Sequence, residues 1–103
     1  MDEYTVVWSE RAYASLAQAH DFIAKRNSEE AQSVVKELVL LSQTLSVMPR
    51  RYPVEPSLAN AKHEYRFLPK WHYKIIYTVL SDDKIVLILL VFDTRQDPQK
   101  LKF

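Results

Sequence analysis

The sequence predicts an α+β domain of order β-α-α-β-β-β, a helical hairpin packed on a small antiparallel or mixed sheet. Two consecutive stretches between Ser9 and Pro49 carry apolar residues at helical spacing, with only a few polar residues between them. From Glu64 to Phe92 three strand-like runs follow in succession. A further run, YTVVW at Tyr4–Trp8, precedes the helices and is rich in β-branched and aromatic residues.

Each element has its own signal. Ser9 stands before Glu10-Arg11-Ala12 as an N-cap, and Ala12, Leu16, Ala19 and Ile23 form one apolar stripe behind it. The first helix should end near Lys25-Arg26-Asn27, where basic side chains suit the negative end of the helix dipole. Ser28 is expected to cap the second helix, with Glu29 and Glu30 in its first turn and a stripe of Ala31, Val34, Val35, Leu38, Leu41 and Leu45. The short connection implies a hairpin. Pro49 should stop the second helix, and Arg50–Lys62, with Pro53 and Pro56, reads as a loop. The remaining strands are expected at Glu64–Leu68, His72–Leu80 and Lys84–Phe92, with a tight turn at Ser81-Asp82-Asp83. Ile85–Phe92 is apolar throughout, as for a strand covered on both faces at the sheet centre.

A chain of 103 residues holds one hydrophobic core and is read as one domain, residues 1–103, without repeats or linkers. The longest apolar run, Ile85–Phe92, falls far short of the ~20 residues a membrane span needs. No secretion signal precedes the first strand, and there is no cysteine, so a cytoplasmic location is expected. There is also no glycine, which excludes the phosphate-cradling loops of nucleotide-cofactor enzymes. His20, His63 and His72 have neither helical nor zinc-site spacing, so no metal and no cofactor is expected.

The net charge of +1 hides an asymmetry. Residues 1–49 hold seven acids against four bases, whereas residues 50–74 hold six bases against two acids. That local basicity suits a polyanionic partner, although a solvated basic face accounts for it equally well. Arg66 lies mid-strand among aromatics, as an arginine at a phosphate site would, or else it pairs with Glu64 or Asp93. Arg95 follows the last strand in Asp93-Thr94-Arg95-Gln96-Asp97-Pro98, where Asp93 and Asp97 could equally shape the turn and hold it. His72 and His63 are the groups that titrate near neutrality and so the default proton-transfer candidates. Trp8, Trp71, Tyr73 and Tyr77 could stack on bases, but packing is the better account of each.

The element order, the Trp-Ser end of the first strand, the YRFLPKWHYKIIYTV hairpin and the VFDTRQDPQKL ending together resemble the RelE/ParE superfamily. These are toxins of bacterial type II toxin–antitoxin systems, often called plasmid stabilisation proteins, and the resemblance covers nearly the whole chain. It implies neutralisation by a cognate antitoxin and one of two activities. RelE-like members cleave mRNA in the ribosome without a metal, as an mRNA interferase, and this is the activity expected here; ParE-like members inhibit DNA gyrase, which is the alternative. For cleavage the resemblance implies that Arg66 and Arg95 hold the scissile phosphate and Lys74 supports them. His72 is the candidate to transfer the proton. Leu68 and Leu101 stand where RelE-like enzymes carry a lysine and a tyrosine. A third reading is a decayed member that only binds a partner.

Overall fold

The computed structural model describes residues 3–59 and 62–103. Strand β1 (Thr5–Trp8) leads into helices α1 (Glu10–Ala24) and α2 (Ser28–Gln43), and strands β2 (Arg66–Lys70), β3 (Tyr73–Leu80) and β4 (Ile85–Asp93) follow. The order in space is β1-β4-β3-β2, with β1 parallel to β4 and the other pairs antiparallel. The expected α+β architecture is thus present, and the sheet is mixed.

Ser9 caps α1 as expected, its side chain accepting from Ala12 N at 3.0 Å. The cap of α2 is Asn27, one residue earlier than the sequence suggested, with its Oδ1 accepting from Glu30 N at 3.0 Å. An extended Asn27 leaves Ser28 free to begin the helix, and the amide oxygen reaches the third N–H. α2 tightens into a 3-10 turn at Thr44–Ser46 that still buries Leu45, and Pro49 begins a further 3-10 turn rather than ending the helix. The segment read as a loop contains another such turn at Pro56–Leu58, and a bridge from Val54 to Arg66. Asn60 and Ala61 of that loop lie outside the described residues.

The last three strands also begin or end differently from expectation. β2 runs two residues later than predicted, through Pro69. The main-chain N of Phe67 points outward to Pro53 O, so Pro69, two residues on, also turns its N to the sheet edge and costs no ladder hydrogen bond. His72 lies in the β2–β3 turn rather than in β3, next to Trp71, whose φ is +53°. β4 ends at Asp93.

The helices cover one face of the sheet. Ala12, Leu16 and Leu38 pack there on Leu68, Tyr73, Ile75, Tyr77, Val86, Ile88 and Val91. A smaller cluster of Leu58, Tyr65, Ile76, Phe92 and Leu101 covers part of the opposite face. Leu87, Leu89 and Leu90 stay half-buried, so β4 is central but not fully covered on both faces. A bulge at Leu89 shifts the alternation, because Ile76 pairs with Leu90 while Tyr77 pairs with Ile88. Among the described residues no helix is long and apolar enough to cross a membrane.

Candidate functional site

The hairpin turn between β2 and β3 is fastened to the end of β4. Thr94 donates twice to His72 O, from N at 2.7 Å and from Oγ1 at 2.9 Å. This brings two of the sequence-predicted residues, His72 and Arg95, to one end of the sheet. There they line a groove of about 540 Å³ with Trp71 and Tyr73, opposite Phe22 of α1 and Glu30, Val34 and Glu37 of α2.

Arg95 is exposed but already paired within the chain. Its guanidinium forks onto Asp93, with Nη2 at 2.7 Å from Oδ2 and Nε at 3.0 Å from Oδ1, while its main-chain N donates to the same carboxylate at 2.9 Å. Those hydrogen bonds outweigh partial burial and hold the Asp93 carboxyl below its ordinary range. Asp97 does not join the pair; it caps the following turn by accepting from Gln99 N. His72 lies 4.3 Å, ring to ring, from Tyr73, and its Nε2 is screened from solvent without a hydrogen-bond partner.

Arg66 and Lys74 lie elsewhere and on opposite faces. In the β2–β3 register Arg66 is opposite Tyr77, a residue of the helix-side core, whereas Lys74 is opposite Pro69, on the same side as Ile76. Arg66 opens β2, about 13 Å of strand from the hairpin at ~3.3 Å per residue. It donates to Glu64 Oε1 at 2.7 Å and to Tyr52 O at 2.6 Å. Lys74 Nζ is 2.6 Å from Glu55 Oε1 and 4.3 Å from the centre of the Phe67 ring. Burial pushes Glu55 upward, but hydrogen bonds from Lys74 and Ser57 more than offset it and hold the carboxyl below its ordinary range. His63 is exposed, edge-on to Tyr65. Trp8 and Tyr77 serve packing: Trp8 Nε1 donates to the buried Ser42, and Tyr77 is inside the core.

Sequence reasoning missed the helical wall of the groove and the buried acid Glu55. Phe22 carried a usable signal, since it is a large aromatic one position off the α1 stripe and is 60% exposed. Glu55 carried none, because a lone acid between Val54 and Pro56 reads as an ordinary loop residue. Among the described residues there is no group of three or more His, Cys, Asp or Glu side chains that could hold a metal ion.

Residues 6–98 match the family model described as the ParE toxin of the type II toxin–antitoxin system parDE. The chain belongs to the ParE toxin family. No curated protein matches the sequence. Among solved structures, the chromosomal ParDE toxin–antitoxin system from P. aeruginosa superposes with a TM-score of 0.70 at 19% identity, over 88% of this chain and 96% of that one. The RelBE2 toxin–antitoxin complex from Mycobacterium tuberculosis superposes at 0.58 with 23% identity, over 90% and 93%. At those identities the superpositions establish the RelE/ParE fold of this ParE-family chain and no more.

Proposed function

We propose that this ParE-family chain is the toxin of a type II pair that inhibits DNA gyrase without cutting RNA, and that a cognate antitoxin protein neutralises it. The observation that carries the reading is the state of the three candidate cations. Arg66, Lys74 and Arg95 are each held by a carboxylate of the chain itself, Glu64, Glu55 and Asp93 respectively. Metal-free phosphoryl cleavage needs cations that converge on one phosphate beside a proton-transfer group. Here two of them are on opposite faces of the sheet, and the third is at the far end from Arg66. The family match supports the same choice over ribosome-dependent mRNA cleavage.

Induced expression without the antitoxin tests it. The expected result is a DNA-damage response with intact mRNA, and a variant combining His72→Gln with Arg95→Ala that stays folded remains toxic. Purified protein should inhibit supercoiling by gyrase. Translation arrest with ribosome-phased mRNA cuts would overturn the reading in favour of the interferase. No growth defect at full expression of folded protein would overturn it in favour of the decayed partner-binding member.

A further inference from the structure

The residues that follow β4 fold back over the face of the sheet opposite the helices. We propose that residues 98–103 form a strap that opens as one unit while the rest of the domain stays folded, with Arg11 as its catch.

The strap carries its own main-chain hydrogen bonds. Lys100 N donates to Asp97 O at 2.9 Å and Leu101 N to Pro98 O at 3.0 Å, while Asp97 Oδ1 accepts from Gln99 N at 2.9 Å. None of these bonds reaches the sheet, so opening keeps them and breaks no strand ladder.

A small set of side chains holds it closed. Leu101 is 5% exposed, in a cluster with Tyr65, Ile76 and Phe92. The Phe103 ring stacks on Tyr65, with centroids 5.1 Å apart and planes 24° from parallel. The Arg11 guanidinium lies 4.7 Å from the centre of the same Phe103 ring, and its Nη1 donates to Lys102 O at 2.5 Å. Among the described residues that is the one hydrogen bond between the strap and the body of the fold. A cavity of about 530 Å³, lined by Ser57 and by Pro98, Gln99, Leu101 and Lys102, leaves the strap unpacked on its loop side. Few buried contacts and one exposed hydrogen bond are the marks of a segment that opens locally.

The place of Arg11 gives the catch a reason. It stands in the first turn of α1, at the positive end of the helix dipole, where an acid is favoured and a cation is not. Both of its contacts among the described residues are with the strap, and an aromatic face together with a carbonyl oxygen suits a guanidinium. Opening uncovers Tyr65 and Phe92 beside the half-buried Phe67, Leu89 and Leu90. The strap therefore shields an apolar area on a face that a solvated sheet would line with polar residues.

The inference holds whether or not the chain acts on gyrase, because its test reads the fold alone. The chain has no cysteine, so Leu101→Cys and Val86→Cys each introduce a single thiol, one under the strap and one in the helix-side core. With a thiol reagent in native buffer, the Leu101→Cys protein should label about a hundredfold faster than Val86→Cys, which waits for global unfolding. Adding Arg11→Gln should speed the first about tenfold, for the lost cation contact and hydrogen bond, and leave the second unchanged. Leu101→Cys shortens an anchoring side chain, so the closed state is read on the unsubstituted chain by nuclear magnetic resonance, as contacts between the Tyr65 and Phe103 rings. Arg11→Gln should weaken those contacts. Equal labelling of the two thiols would overturn the proposal, because the strap would then open only with the whole fold. So would absent ring contacts in the unsubstituted chain, or contacts and labelling that Arg11→Gln leaves unchanged.

Discussion

Ser15 Oγ accepts a hydrogen bond from Val91 N at 2.9 Å and donates to Ala12 O at 2.7 Å, joining α1 to β4 where β4 leaves its regular ladder. The bulge at Leu89 interrupts the pairing with β3, and two serines of the α1 side attend to the polar groups around it. Ser15 takes the N–H of Val91, and Ser9 Oγ lies 3.4 Å from Leu89 O. The bulge therefore sets where α1 sits on the sheet, and with it Phe22 and the groove wall.

Ser15→Ala should leave the Val91 N–H buried without an acceptor. A loss of about 1–3 kcal/mol is expected, the cost of orphaning one buried donor. Urea unfolding should show a lower midpoint at unchanged slope. Gln18→Ala, an exposed change on the same helix, should stay within about 0.5 kcal/mol of the parent.

The Glu55–Lys74 pair fixes the proline-containing loop onto the sheet. Glu55 is wholly buried, so removing its partner strands a charge in the interior. Lys74→Met should destabilise by about 3–5 kcal/mol, and adding Glu55→Leu should recover most of the loss. The pH dependence has a defined sign. The folded-state pKa of Glu55 is depressed below its ordinary 4.5, so the pair's contribution is complete above about that pH and disappears as pH falls through the depressed value. Acid unfolding of the Glu55→Gln variant should therefore be shallower than that of the parent, followed by circular dichroism.

Tyr77 makes the opposite prediction at high pH. It is wholly buried, its hydroxyl donates to Pro49 O, and burial raises its pKa from 10.0 to about 12. A raised pKa means that the contribution is complete below pH ~10 and is lost as pH rises towards about 12. Its size is about 2–3 kcal/mol at 1.36 kcal/mol per pKa unit. Tyr77→Phe should lower neutral-pH stability by about 1 kcal/mol for the lost hydrogen bond. It should also flatten the alkaline limb of the stability curve, with tyrosinate absorbance appearing at lower pH overall once the buried phenol is gone.

These contacts show what the sequence made legible and what it did not. Ser9, the two apolar stripes and the strand composition act through neighbours a few residues away, so the order of elements could be read directly. The β2 boundary could not, because Pro69 looks like a strand end unless the edge position of β2 is known. Met48, Trp71 and Lys84 adopt positive φ in a chain without glycine, so the usual residue marking such turns is missing. The candidate cations were recognisable as residues, but not as a site. Whether Arg66 and Lys74 share a face depends on the β2–β3 register, and Glu55 is 19 positions from the lysine it neutralises. The Arg66–Glu64 pair is legible in the sequence, because two residues along an extended chain lie on one face within reach of a long side chain.

Arg66 supplies the last prediction, since both of its contacts join it to other segments of the chain itself. Its side chain is 16% exposed and joins Glu64 to Tyr52 O, tying the start of β2 to the residues that follow the Pro49 turn. Arg66→Ala should therefore cost about 1–3 kcal/mol, chiefly by leaving Tyr52 O and Glu64 without their charged donor. Arg66→Lys should restore only part of this, because an ammonium cannot reproduce the planar fork that serves both partners. The two losses can be separated by scoring toxicity at a low temperature where both variants are folded by circular dichroism. Toxicity equal to the parent's is expected there. A folded Arg66→Ala protein that has lost toxicity would assign Arg66 to the functional surface instead.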